Sequence, residues 1–194
     1  MALAGMTTTA SAATMRFLTG AAVASGSTIS GSTKASTNSA FSAGAGGSIT
    51  CASSTLSGTL GTNPATPSVS GSLTSLTFNG CTDTIPFVTL STVATNVGAG
   101  ANAKPMTMTY LGAASTLAIS GLAWTVTFTD GRTCIYAPTT DPATAQHNSH
   151  SSPWNAEYTF NVPLTRTGGT SFACPSVNVV WSATYVLSVG TIQP

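Results

Sequence analysis

The residue types that carry most enzyme chemistry are scarce in this chain. Its 194 residues include four carboxylates, which are Asp83, Asp130, Asp141 and Glu157. General acid–base hydrolysis usually needs two carboxylates at a fixed separation, and the Asp-Gly pair at 130–131 is explained by a turn. Serines are plentiful, but no G-x-S-x-G motif accompanies them, which argues against a Ser-His-Asp triad. We therefore expect a protein without catalytic activity.

The two histidines are the one feature that resembles a metal site. His147 and His150 are three residues apart, and Glu157 follows them. On a helix this spacing would point both imidazoles one way, but Pro142 and Pro153 predict a loop, where spacing guarantees nothing. We interpret both histidines as solvated loop residues and expect no metal or other cofactor. His147, His150 and Glu157 are the ligands to test for metal binding.

The tryptophans divide into two groups. Trp124 and Trp181 alternate with polar residues and are expected in the core, where each buries a large apolar area. Trp154 follows Pro153 at the end of the predicted loop 137–153, where exposure is plausible. Together with Tyr158, it is the candidate contact for a carbohydrate.

Charge is unusually low. Five Lys and Arg and four Asp and Glu give a net charge of +1, while 36 Thr and 26 Ser keep the surface polar. The basic residues form no stripe that could neutralise phosphates, which argues against nucleic acid as a partner. A net charge near zero favours association, so a homo-oligomer or polymer is the expected partner state. No run approaches the roughly 20 apolar residues of a transmembrane helix.

The four cysteines predict two disulfides. Cys51, Cys81, Cys134 and Cys174 contain no C-x-x-C pair, which argues against a zinc or redox motif. Three pairings are open. We favour 51 with 81 and 134 with 174, because sequential pairing closes two compact loops, each worth roughly 3–4 kcal/mol. Ala10-Ser11-Ala12 fits a signal-peptide cleavage site, although no basic residue precedes it, so residues 1–12 are either a signal remnant or an N-terminal arm.

Apolar residues alternate with Thr, Ser or Asn over 106–110, 124–128, 158–164 and 177–189. This period of two predicts half-buried strands, the last with a bend near Ser182. Asp-Gly at 130–131 predicts a hairpin. Residues 20–47, with apolar Val23, Ile29 and Phe41, favour weak edge strands over a linker. We expect one all-β domain over 13–194, an antiparallel two-sheet β-sandwich of immunoglobulin-like or jelly-roll-like type.

Several segments together resemble a family. Gly47-Ser48-Ile49-Thr50-Cys51, the stretch 72–81 (SLTSLTFNGC), the alternating Trp124 and Val126, and the second cysteine pair are similar to secreted actinobacterial proteins of unknown function. The resemblance covers roughly residues 41–190. It implies export, a sandwich-like fold and disulfide bonds, and it carries no catalytic residues.

These observations favour a secreted or cell-surface structural or interaction protein of bacteria. The Thr-x-Thr faces at 107–109 and 125–129 are typical of the solvent side of strands, and strands without charge lack the usual defence against edge-to-edge pairing. A subunit of a filament or homopolymer fits this composition. The alternative is an extracellular carbohydrate-binding module that recognises cell-wall polysaccharide.

Overall fold

β-Strands dominate the described part of the chain, which confirms the predicted all-β class. The computed structural model describes residues 13–16, 21–64, 68–110, 115–147, 156–169, 174–175, 178–189 and 192–193. The strands are β1 (Thr14–Met15), β2 (Thr28–Thr33), β3 (Ser39–Ser42), β4 (Ser48–Leu60), β5 (Ser68–Asp83), β6 (Leu90–Thr95), β7 (Lys104–Tyr110), β8 (Ser115–Ile119), β9 (Trp124–Phe128), β10 (Thr133–Pro138), β11 (Ala143–His147), β12 (Glu157–Gly169), β13 (Val179–Leu187) and β14 (Ile192–Gln193). Two 3₁₀ turns lie at Gly44–Gly46 and Gly100–Asn102. These ranges contain no helix that is long and apolar enough to cross a membrane.

Hydrogen-bonded ladders join twelve of these strands into one antiparallel sheet. Its order is β2, β13, β3, β4, β5, β7, β8, β11, β12, β10, β9, β6, with β2 also paired to β4 and β13 to β12. The ladders therefore run from β4 through β5, β7, β8, β11, β12, β13 and β2 back to β4, and the sheet closes on itself. Strands β10, β9 and β6 branch from this ring at β12. β1 and β14 form a separate two-stranded sheet.

The finer prediction, a sandwich of two separate sheets, does not describe these ladders. Long strands change partners along their length, and this joins what would otherwise be separate layers. β12 pairs with β11 from Tyr158 to Phe160 and with β10 from Leu164 to Gly169. Alternation in a sequence indicates which side chains face inward, but it does not indicate which strand edges bond to each other.

The core lies inside this closed sheet and is rich in aromatic side chains. Trp124 and Trp181 are both 0% exposed, as predicted. Their ring centroids are 5.0 Å apart, and the Phe160 ring lies 4.8 Å from that of Trp181. Phe41 packs edge-on against Trp124 at 6.2 Å. Because each aromatic side chain buries a large apolar area, this cluster packs the branch strand β9 against β3, β12 and β13.

Among the other local predictions, some are confirmed and some are wrong. The three apolar residues of segment 20–47 are all buried, and the segment contains β2 and β3, which confirms strands there. The expectation of edge strands is wrong, because β2 and β3 each pair with both β13 and β4. The Asp-Gly hairpin is confirmed between β9 and β10, with Gly131 at φ +82°. The predicted loop 137–153 is wrong in part, because β11 runs through it. Strand β13 pairs with β12 without interruption through Ser182, so the expected bend produces no break in that ladder.

A break between β2 and β3 is bridged by buried polar contacts. Along one edge, β13 pairs with β3 up to Ser182 and with β2 from Tyr185. The break between these two partners is residues 34–38, which connect β2 to β3. On one side of the break the Tyr185 hydroxyl lies 2.6 Å from Ser54 Oγ. On the other, Trp181 Nε1 donates to Ser39 Oγ at 3.0 Å. The first bond joins β13 to β4, which share no ladder, and the second adds to the ladder between β13 and β3.

Both predicted disulfides are present. Cys51 pairs with Cys81 and Cys134 with Cys174, closing loops with sequence separations of 30 and 40 residues. Cys51 and Cys81 stand directly opposite each other on β4 and β5. Cys134, on β10, is bonded to a residue outside the strands. Residues 1–12, for which a signal remnant or arm is predicted, lie outside the described residues.

Candidate interaction surface

Two of the carboxylates serve turns. Asp130 Oδ1 accepts a hydrogen bond from the Arg132 backbone N–H at 3.0 Å, and its other oxygen pairs with the Arg132 guanidinium. The Arg132 side-chain hydrogen bond holds the pKa of Asp130 below its usual value. Asp141 Oδ1 accepts from the Gly121 N–H at 2.8 Å. Each group has a local structural partner.

His147 is not a solvated loop residue. It ends β11, is 2% exposed, and stands opposite Ser115 of β8 and Tyr158 of β12. The prediction fails because Ala143 and Ala145 are the other inward residues of this strand. Alanine is a weak apolar signal, so the alternation was hidden in the sequence.

The candidate metal ligands are not assembled in the described part of the chain. Glu157 precedes the inward-facing Tyr158 on β12 and is itself partly exposed. Its carboxylate accepts a hydrogen bond from Lys34 Nζ at 2.9 Å. His147 is inward on β11. Within the described ranges no three His, Cys, Asp or Glu residues are grouped closely enough to hold a metal ion. His150 lies outside the described residues.

Of the two residues predicted to contact a carbohydrate, one is buried in the structure. Tyr158 is 0% exposed, and its hydroxyl lies 3.1 Å from Ser115 Oγ. A ring buried in the interior cannot stack on a sugar at the surface, so the expectation for Tyr158 is wrong. The parity of strand β12 places it inside, as it does Phe160. Trp154 lies outside the described residues.

The outer face of the sheet is covered by hydroxyl groups that bond to one another. Cross-strand pairs of threonine hydroxyls lie 2.7–3.0 Å apart, at Thr55 with Thr77, Thr139 with Thr165, and Thr159 with Thr184. Ion pairs between residues of the described ranges number two, Lys34 with Glu157 and Arg132 with Asp130. Such a surface carries little electrostatic repulsion toward a second copy of itself.

One strand edge is covered without a ladder. Among the described residues β6 has a ladder with β9 alone, and its sequence LSTVAT has neither charge nor proline. Its other edge faces β5, with which side-chain contacts replace a ladder. Thr95 Oγ1 donates to the Leu76 carbonyl at 3.0 Å, and the Leu90 N–H donates to Asp83 Oδ2 at 2.7 Å. β5 therefore covers this edge through side-chain bonds.

The turn between β5 and β6 exposes an aromatic side chain. Phe87 is 93% exposed, and its φ is +67°. It follows Pro86, at the second central position of the turn, where a positive φ normally selects Gly or Asn. For a bulky residue this conformation costs roughly 1–2 kcal/mol.

The ends of this turn are held firmly. Asp83 uses both carboxylate oxygens, accepting from the Ile85 N–H at 3.1 Å and from the Leu90 N–H at 2.7 Å. The Thr84 N–H donates to the Ser48 carbonyl at 2.9 Å. Ile85 is 8% exposed and anchors the turn in the core. The backbone is therefore fixed while the Phe87 ring projects into solvent.

A small apolar slot opens beside the turn. Its cavity volume is about 20 Å³, and it is lined mainly by Phe41, Ala43, Ile49, Ile85, Val126, Tyr136 and Val179. The Tyr136 hydroxyl donates to the Pro175 carbonyl at 3.0 Å. Burial raises the pKa of Tyr136 to about 12. Ile85 forms a wall of the slot two residues before Phe87, so the slot and the exposed ring share one surface.

A second concavity lies where β12 changes partners. This cleft has a volume of about 320 Å³ and is lined by Thr139, Thr140, Pro142, Thr144, Asn161, Val162 and Pro163. Hydroxyl and amide groups dominate its polar lining, and the proline rings provide flat apolar surface.

Neither the exposure of Phe87 nor the turn contacts of Asp83 were predicted from the sequence. The available signal was an aromatic residue directly after a proline in a short connection, at a position where glycine or asparagine is usual. Asp83 was considered as a catalytic acid, whereas its oxygens bind the turn.

No family model, curated protein or solved structure is similar enough to the chain to count as a match. The resemblance to secreted actinobacterial proteins stays a prediction. Inference about function therefore starts from the residues of this surface.

Proposed function

We propose that the protein is a non-catalytic structural or interaction protein of the bacterial exterior, and that it assembles with copies of itself. The observation that carries this proposal is the exterior, which combines threonine hydroxyls that bond to one another with two ion pairs in the described ranges. Surfaces that lack charge do not repel identical surfaces.

Export is supported by the two disulfides. Disulfides form and persist in oxidising compartments and are rare in the reducing cytosol. The absence of a catalytic role is supported by the contacts of the carboxylates. Asp83, Asp130 and Asp141 bind backbone N–H groups, and Glu157 is paired with Lys34.

Sedimentation of the full chain across a wide concentration range tests this proposal. We expect a reversible increase in mass with concentration that persists at high salt, because the contact does not depend on ion pairs. Thr92→Lys and Thr59→Lys each put a charge on an exposed strand position and should weaken assembly. Thr92→Ser and Thr59→Ser, which add no charge at the same positions, are the matched controls. A strict monomer at every concentration would refute the proposal.

A second candidate function is carbohydrate binding at the cleft beside β12. Its volume falls within the range of roughly 300–1,000 Å³ that is usual for ligand sites, and its threonines and Asn161 suit sugar hydroxyls. A glycan array probed with the wild type and with Asn161→Ala tests this candidate. Binding that is lost in the variant would support it, and an array without signal would dismiss it.

A further inference from the structure

We infer that the cleft beside β12 is one end of a longer carbohydrate-binding track, and that the ligand is a linear, neutral polysaccharide. The other end is a further concavity, which we call the serine groove. It lies over β13, β2 and β4 and has a volume of about 500 Å³. This inference rests on the second candidate function and deepens it, because it names the shape, length and charge of the carbohydrate.

Small outward side chains on three neighbouring strands form the serine groove. Ser32 of β2 stands opposite Val186 of β13 and Thr55 of β4, and Ser30 stands opposite Ser57 of β4. Because serine side chains are short, they leave a hollow in the outer face of the sheet. The volume of this hollow lies within the range of roughly 300–1,000 Å³ that is usual for ligand sites.

Both ends of the track combine hydroxyl groups with small apolar surfaces. Val186 in the groove is 38% exposed, and the cleft contains Pro142 and Pro163. A pyranose ring carries hydroxyls on its edges and C–H groups on its faces, so it needs both kinds of contact. Serine and threonine hydroxyls can donate and accept hydrogen bonds, as sugar hydroxyls do. This combination favours a carbohydrate over an apolar or a purely ionic ligand.

The two concavities are joined by one pair of strands. β13 pairs with β12 without interruption from Val180, opposite Pro163 of the cleft, to Val186 of the groove. The outward residues between these ends include Thr159 and Thr184, whose hydroxyls lie 3.0 Å apart. At about 3.3 Å per residue, the ends are roughly 20 Å apart along the strand. The track is therefore straight and long enough for several units of an extended polysaccharide.

The charge on the track is balanced within the protein. Lys34 directly follows β2, and its ammonium group pairs with Glu157 of β12 at 2.9 Å. Because β13 lies between β2 and β12 in the sheet, this ion pair spans β13 beside the groove. An ammonium group has three N–H donors, and the pair with Glu157 uses one, so Lys34 can also donate to a sugar hydroxyl. A surface with balanced charge favours a neutral ligand.

Isothermal titration calorimetry of the full chain tests the track with two pairs of neutral probes, cellobiose with cellohexaose and chitobiose with chitohexaose. We expect the hexasaccharide of at least one pair to bind at least about tenfold more tightly than its disaccharide, because it contacts both ends at once. Ser32→Gln fills the groove and should lower the hexasaccharide affinity to that of the disaccharide. Thr92→Gln is the matched control, since Thr92 is also exposed but lies on β6, outside both concavities. It should leave both affinities unchanged.

The outcomes separate the track from the cleft. Urea titration of each variant should give the wild-type midpoint, because both substituted positions are exposed. Hexasaccharides that bind no more tightly than their disaccharides would overturn the track and leave the cleft as a separate site. An unchanged hexasaccharide affinity in Ser32→Gln would do the same. If none of the four probes binds, the track is wrong, and the glycan array decides separately whether the cleft takes another sugar.

Discussion

Removing the Ser54 hydroxyl should destabilise the protein more than removing the Tyr185 hydroxyl, although the two groups bond to each other. Both residues are 0% exposed, and their oxygens are 2.6 Å apart. Ser54 Oγ also donates to the Thr77 carbonyl at 2.7 Å. Because a serine hydroxyl has one hydrogen, Tyr185 must be the donor in the bond between them.

This assignment sets the sizes of the two effects. Ser54→Ala leaves the buried Tyr185 O–H without its acceptor, and an unsatisfied buried donor costs about 1–3 kcal/mol in the free energy of unfolding. Tyr185→Phe removes the donor itself and leaves the Ser54 hydrogen bonded to Thr77, so the loss is that of one hydrogen bond, about 0.5–1.5 kcal/mol. We expect about 2 and about 1 kcal/mol respectively, and a double variant less destabilised than Ser54→Ala alone, because Tyr185→Phe removes the unsatisfied donor.

Urea titrations followed by tryptophan fluorescence measure these free energies. Thr55→Ala is the matched control, because it removes a hydroxyl that is bonded at 2.7 Å on the same strand but exposed. Its effect should stay within about 0.5 kcal/mol, as is usual at the surface. A larger loss in Tyr185→Phe than in Ser54→Ala, or additive losses in the double variant, would refute the donor assignment.

Three further outcomes are expected. Under native conditions a small thiol should reduce the Cys51–Cys81 bond before the other disulfide, since Cys81 is partly exposed while both cysteines of the other pair are buried; alkylation and mass spectrometry would reveal the order. Because the pKa of Tyr136 rises from 10.0 when unfolded to about 12 when folded, its contribution to stability should be complete below pH 10 and fall toward about pH 12, with a shallower fall in Tyr136→Phe. Gly169→Ala should lower the unfolding midpoint far more than Gly131→Ala, because a Cβ at Gly169 would overlap the Thr133 backbone oxygen, whereas one at Gly131 meets nothing within 4 Å.

Alternation along the sequence predicts burial reliably where the inward-facing residues are large. Trp124 and Trp181 were placed in the core because bulky apolar residues alternate with threonine around them, and both are buried. The same reasoning missed β11, whose inward residues before His147 are alanines. It also placed Tyr158 in a surface contact, although Tyr158 shares the parity of buried Phe160. Apolar residues at every second position indicate burial, and this indication is weaker where those residues are small, such as alanine.

The sequence by itself determined the strand class, the aromatic core and a workable choice of cysteine pairs. These follow from alternate burial and from loop length, which are properties of neighbouring residues along the chain. The tertiary structure alone decided that the sheet closes on itself, that β6 has a ladder with β9 alone among the described strands and that Phe87 stands in solvent. Ladder partners and exposure depend on which distant strands meet, and residues far apart in the chain settle that together.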